Sequence, residues 1–228
     1  MLTEDKQPFN QHPGPLPILY SFRRCPYAMR ARLALLSSGI LCELREVVLR
    51  HKPVELIWAS PKATVPVLVT PNGQVIEQSW DIMLWALRQH DPAQWLPADA
   101  QVFEHGLQLL QMCDGTFKQQ LDRYKYPQRH GLADGKEERD AALLFLADLE
   151  SLLTQQRYLF GSNIGIFDAA LLPFIRQFAH VDAAWFAEQS LPRVQAWLSS
   201  FESSTDFQRV MTVYPTWVKD SPVSVFPA

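Results

Sequence analysis

The sequence predicts a small α/β domain followed by an all-helical domain. Two observations carry this. Up to about residue 90, short apolar runs alternate with helical periodicity and turn signals in the order β-α-β-α-β-β-α. Beyond Pro97, apolar residues recur at spacings of three and four, with no strand signal of comparable strength. The proline-bracketed stretch His90–Pro97 reads as the linker. The expected organisation is an irregular leader at 1–15, an α/β domain at 16–92 and an all-helical domain at 93–228.

Each element has its own reason. Residues 1–15 carry three prolines and little apolar content. Pro15–Tyr20 (PLPILY) reads as a short buried strand. From Cys25 to Ser38, Met29, Leu33 and Leu36 share one helical face, and Gly39 stands where a helix would stop. Cys42, Leu44 and Val48 alternate with Glu43 and Arg45 as in a strand. A short helix over 53–59 is ended by Ser60-Pro61. Pro66–Val69 and Gln74–Ile76 flank Pro71-Asn72-Gly73, a hairpin signal. Ser79 is the expected N-cap of a helix whose face is Trp80, Met83 or Leu84, and Leu87. Helical periods then run through Phe103–Tyr124, Ala142–Leu152, Leu171–Val181 and Leu191–Phe201. Asp134–Asp140, rich in charge, reads as a solvated turn and helix start.

Composition narrows the function classes. Of the 228 residues, 47% are apolar and 20% charged, which suits a folded chain rather than a disordered one. A net charge of −3 argues against a nucleic-acid binder held by a large basic surface. No apolar run approaches membrane-spanning length, and the N-terminal stretch lacks the apolar region of a secretory signal. Three scattered cysteines, Cys25, Cys42 and Cys113, do not make a disulfide scaffold, so a reducing cytoplasm is the expected location. No Cys or His pair has zinc spacing, so no metal is expected.

The chemistry concentrates at Cys25. It lies between a predicted strand and a predicted helix, and Pro26 suits the first helical position, where a missing N–H costs nothing. That puts Cys25 at the N-cap, where free N–H groups and the helix dipole favour a thiolate. Arg23, Arg24, Arg30 and Arg32 add positive charge nearby. Cys42 and Cys113 fall on apolar faces and read as core. Position 28 is alanine, so there is no Cys-x-x-Cys pair; a monothiol needs an external thiol, and glutathione is the cytosolic one.

The segment Cys25-Pro-Tyr-Ala-Met-Arg-Ala-Arg-Leu-Ala-Leu35 resembles the start of an omega-like, cysteine-type glutathione S-transferase. His51-Lys52-Pro53, Ser60–Leu68 (SPKATVPVL) and Gln78-Ser79 resemble that family's successive glutathione motifs, and Gly161–Asp168 (GSNIGIFD) its helical-domain cap. The resemblance implies a thioredoxin-like first domain and a helical-bundle second one. It implies a glutathione site made of Tyr27, Lys52, Val65, Pro66, Gln78 and Ser79 around a catalytic Cys25. Val65-Pro66 would be cis, its backbone pairing with the cysteinyl unit of glutathione. Gln78 and Ser79 would hold the γ-glutamyl end, and Lys52 the glycyl carboxylate.

Three departures stand out. Gln78 replaces a Glu of cysteine-type relatives and loses attraction to the glutathione ammonium. Gly165 replaces a capping Ser or Thr. An arginine, Arg23 or Arg24, stands where serine-type relatives carry a hydroxyl, leaving Tyr20 and Ser21 as fallback hydroxyls.

The expected function is a glutathione-dependent thiol transferase or reductase cycling through a Cys25–glutathione mixed disulfide. The alternatives are a transferase conjugating glutathione to electrophiles, and a binding protein on the same scaffold. The co-substrate would be a small hydrophobic molecule or a disulfide in a cleft between the domains, with Phe117, Tyr124, Phe174 and Tyr214 as candidate lining. No nucleic-acid or membrane partner is expected. A homodimer is expected by resemblance, although relatives with this kind of site include monomers.

Overall fold

The computed structural model of the protein describes residues 14–227, so the leader expected at 1–15 lies almost wholly outside the described residues. The chain divides into two compact units. One runs to Ala93 and resumes at Asp206; the other is Gln94–Thr205.

The first unit follows the predicted order: β1 (Ile18–Ser21), α1 (Pro26–Ser38), β2 (Cys42–Glu46), α2 (Val54–Ala59), β3 (Val67–Val69), β4 (Val75–Ile76) and α3 (Ser79–Gln89). Gly39 ends α1 with a left-handed φ of 70°, and its N–H closes on the Leu36 carbonyl. β1 and β2 are parallel, Leu19 opposite Leu44. β3 runs antiparallel to β1, with Leu19 opposite Leu68, and β4 antiparallel to β3.

The far edge of the sheet departs from expectation. The sheet has five strands in the order β4-β3-β1-β2-β5, and β5 is Val225–Phe226. The domain expected to be helical from 93 to 228 therefore ends at Thr205 as a compact unit, and the chain returns to the sheet. Phe226 pairs with Cys42, the Leu44 N–H donates to the Ser224 carbonyl at 2.8 Å, and the Trp217 N–H donates to the Glu46 carbonyl at 2.8 Å. A two-residue strand has no period of its own to read. It forms because the outer edge of β2 offers unpaired N–H and C=O groups that need covering.

Side chains on the two sheet faces alternate. On one face Tyr20 and Val67 join Leu56 of α2, Val47 and Val65 in a core cluster against which Phe22, Cys25 and Ala59 pack. Leu19, Cys42, Leu44, Leu68, Ile76 and Phe226 are buried on the other. That leaves α1 and α3, which pack on each other, to cover it. α1 is buried on all sides rather than along the single Met29–Leu33–Leu36 stripe, and the enclosed residues include Arg30 and Arg32. A buried guanidinium is costly unless it is bonded, so both arginines must have partners.

In the second unit α4 (Ala100–Met112) passes through a π-type turn at Cys113–Phe117 into α5 (Lys118–Lys125). α6 (Lys136–Leu153), α7 (Ile166–Ala179), α8 (Ala183–Ala187) and α9 (Pro192–Glu202) follow. α10 (Thr205–Val210) leads back to the first unit. Phe117 and Phe174, two of the candidates for pocket lining, are core residues at 1% and 0% exposure, and Phe117 packs on Phe145 and Phe178. Gly106 of α4 lies against the Phe167 ring so closely that a Cβ would sit 2.2 Å from it. No helix among the described residues is long and apolar enough to cross a membrane.

Candidate active site

Cys25 ends a tight turn, its N–H donating to the Phe22 carbonyl at 3.0 Å. Its backbone is extended (φ −76°, ψ 123°), and helix α1 begins on the next residue, Pro26. Cys25 is thus the N-cap that the sequence predicts. Among the described residues no side chain caps this helix, and its first turn holds no acidic residue. Cys25 is half-buried, whereas Cys42 and Cys113 are enclosed, and burial pushes the Cys42 thiol up. The distinction expected between one presented thiol and two core thiols is the one observed.

The Cys25 Sγ lies 3.7 Å from the carbonyl oxygen of Val65. The Val65-Pro66 bond is cis, as the resemblance implied. The Val65 N–H makes no backbone hydrogen bond among the described residues. One residue therefore brings a carbonyl beside the sulfur together with an unspent donor.

Ser79 is the first residue of α3 and not its N-cap; the cap position is Gln78, which bonds no backbone amide. Tertiary structure decided this. The Ser79 Oγ accepts from Arg30 Nε at 2.9 Å, both residues being buried, so the hydroxyl faces α1 instead of turning back on its own helix. The Arg30 guanidinium also lies over the Tyr27 ring, 5.0 Å from its centroid. Tyr27, Arg30 and Ser79 form one group at the adjoining starts of α1 and α3. Gln78 is exposed and lines a cavity of about 700 Å3 with Glu77, Asp81 and Trp85. Lys52 stands exposed in the loop before α2 and has no hydrogen bond or ion pair among the described residues.

Sequence reasoning missed the separate destinations of the α1 arginines. Arg30 goes to Ser79, while Arg32 donates to the Ser21 Oγ and the Arg23 carbonyl. The signal was present: residues two apart on a helix point about 200° from each other, so one solvent face could not take both. Tyr20 and Ser21, the fallback hydroxyls, are buried in β1; the Tyr20 hydroxyl accepts from Arg45 and the Ser21 Oγ from Arg32.

In the second unit Gly165 is the N-cap of α7; having no side chain it cannot accept the N3 amide, and Asp168 supplies the other half of the capping box. The Asp168 Oδ2 accepts the Gly165 N–H at 3.0 Å. Its Oδ1 accepts the Leu159 N–H at 3.0 Å and the Trp197 Nε1–H at 2.9 Å. Burial pushes this carboxyl up to about 6, against the downward pull of those donors.

Comparison with known proteins assigns the scaffold. The sequence matches the model for the glutathione S-transferase N-terminal domain over residues 19–94 and that for the C-terminal domain over 119–200. A glutathione S-transferase omega-1 from Sus scrofa is 24% identical over 194 residues, 82% of this chain and 79% of that protein. Glutathione S-transferase U28 from Arabidopsis thaliana is 27% identical over 183 residues, 79% of this chain and 81% of that one. A Pseudomonas putida glutathione transferase, solved with one glutathione disulfide bound per subunit, matches with a TM-score of 0.74 at 20% identity. That match covers 89% of this chain and 93% of the other, and at this identity it speaks for the fold. A thioredoxin-like mixed sheet, a helical second domain, and both domain models matched in that order have one common explanation: the chain belongs to the glutathione S-transferase family.

Proposed function

We propose that the protein is a glutathione-dependent thiol transferase in which Cys25 is the nucleophile. The Cys25 thiolate attacks the glutathionyl sulfur of a mixed disulfide. The substrate's sulfur leaves with the electron pair of the broken S–S bond and takes up a proton, and Cys25–S–SG remains. A second glutathione, as thiolate, attacks the glutathionyl sulfur of that adduct. Glutathione disulfide departs and the Cys25 thiolate is restored. One substrate disulfide is reduced, two glutathionyl units end as disulfide, and a reducing cytoplasm supplies the reduced form.

The observation that carries this reading is a half-buried thiol at an uncapped helix start, 3.7 Å from the carbonyl beside a cis proline. The helix N-terminus favours the thiolate over the thiol. The open Val65 N–H and its carbonyl suit the backbone of the glutathione cysteinyl unit. Ser79 and the start of α3, with Arg30 behind them, suit the γ-glutamyl carboxylate. Gln78 offers its amide oxygen to the ammonium, Tyr27 flanks the same end, and the unpaired Lys52 suits the glycyl carboxylate. The conjugating alternative would draw on a hydroxyl beside the glutathione sulfur, and the bonds already made by Tyr20 and Ser21 count against it.

The test is intact-protein mass after incubation with glutathione disulfide, with the modified peptide mapped. One adduct on Cys25, removed by reduced glutathione, is the expected result. Full thiol-transferase activity in Cys25→Ala would reject the mechanism.

A further inference from the structure

The turn that delivers Cys25 is held by two charges of opposite sign, a buried Arg32 and a half-buried Glu46. Arg32 belongs to α1 and is 2% exposed. Its Nη1 donates to the Ser21 Oγ at 2.5 Å and its Nη2 to the Arg23 carbonyl at 2.7 Å. The Arg23 N–H donates to the Glu46 Oε1, at the end of β2, at 2.6 Å. Both backbone polar groups of Arg23 are therefore held by ionisable side chains from two different elements. Arg23 lies two residues before Cys25, inside the turn that the Cys25 N–H closes on Phe22. Neutral groups could close such a turn more cheaply, because enclosing a guanidinium carries a desolvation cost. The Arg32 Nε has no hydrogen-bond partner among the described residues, so this guanidinium is not fully spent on structure.

Charge around the pair points the same way. Burial pulls the Arg32 guanidinium down to about 10, and Glu46 and then Cys25 pull it back up. The bond to the Arg23 carbonyl sets this cation against the backbone two residues before the sulfur. Burial raises Glu46, against the Arg23 N–H and the charges of Arg32 and Arg23. Among the described residues the other ionisable neighbours of Arg32 are Arg23, whose like charge opposes its own, and Tyr214 and Cys42, which burial raises and so keeps neutral near pH 7.

We propose that Arg32 and Glu46 are positioning residues for Cys25: together they clamp the Arg23 backbone so that the turn presents the sulfur, and they bias its ionisation in opposite senses, Arg32 towards the thiolate and Glu46 away from it. The proposal rests on Cys25 being the working nucleophile.

The test is the pH dependence of iodoacetamide alkylation at Cys25, mapped by mass, in the full chain and in Arg32→Met, Glu46→Gln and the double variant. Arg32→Met should move the midpoint up by about one pH unit, and Glu46→Gln should move it down. The double variant should return towards the parent. A clamp that served only to hold the turn would, when broken, shift both single variants the same way or neither, and either result overturns the proposal. If Arg32→Met does not fold, Arg32→Lys takes its place, keeping the charge but losing the two-pronged grip: with it the Cys25 midpoint should stay near the parent's while Glu46→Gln moves it down, and a Glu46→Gln midpoint that stays or rises overturns the proposal. Alkylation uses no glutathione. Loss of the Cys25–glutathione adduct with the opposite shifts intact would reject the thiol-transferase reading alone. An intact adduct without those shifts would reject the clamp alone.

Discussion

Helices α1 and α9 start alike and are finished differently. Each has proline as its first residue and a cap residue whose side chain bonds no backbone amide. At α9 the gap is filled from another helix. Glu150 of α6 accepts the N–H groups of Arg193 and Val194 at 2.8–3.0 Å. At α1 no acidic residue stands in the first turn, and the side chain in place is the Cys25 thiol. The contrast extends across the two units. α4, α7 and α8 begin with carboxylates on their amides, from Asp99, Asp168 and Asp182. Among the described residues no side chain bonds the first amides of α1, α2 or α3, although Glu55 and Asp81 stand in the first turns of α2 and α3. A carboxylate at a helix start satisfies amides and the dipole for good; leaving it out keeps that positive end available to a thiolate or a ligand carboxylate.

The most damaging way to break this contrast is to empty the fullest cap. Asp168→Ala strands three donors in a buried site and should cost about 3 kcal/mol, read by denaturant unfolding, at about 1 kcal/mol or more per orphaned group. Cys25 alkylation in the folded variant should be unchanged. Asp168→Asn should cost less, because its oxygen keeps two donors while its amino group faces the Gly165 N–H.

The same residue fixes a pH slope. With the folded carboxyl raised to about 6 from an ordinary value of 3.8, the native state holds its proton to higher pH than the unfolded chain does. The contribution is fully present below about pH 4 and is lost as pH rises through 6, after which it is flat. Asp168→Asn should lack this slope in thermal melts taken between pH 4 and 7.

Glu150→Ala is the next step down. It opens α9 as α1 is open and should cost about 1–2 kcal/mol, checked by the midpoint of urea unfolding. Cys25→Ser closes α1 in part, since serine is a better cap than cysteine. It should leave stability equal or raise it by about 0.5 kcal/mol while glutathione exchange falls to background. A clear loss of stability would mean that the thiol is a packing residue first. Gln78→Glu sharpens the contrast most gently. An added carboxylate should tighten glutathione binding a few-fold by calorimetry, through attraction to its ammonium.

Much of this molecule follows from its sequence. The order from β1 to α3, the extent of α1 with Cys25 before it and Gly39 after it, and the core status of Cys42 and Cys113 are local matters. Periodicity, a proline that fits only a first turn and a glycine that accepts positive φ decide them within a few residues. Three other features could not be read that way. β5 exists only because the β2 edge needs covering, and Val225–Phe226 is too short to show a period. Ser79 gave up its capping role because Arg30, 49 residues earlier, holds its hydroxyl. In sequence Arg32 is only one of four positive charges near a thiol, but α1 is enclosed on all sides, which turns it inward to the turn that carries Cys25. Backbone preference acts over a few residues and is written in the sequence; the partners of a buried charge or an unpaired edge come from distant segments, and only the assembled fold chooses them.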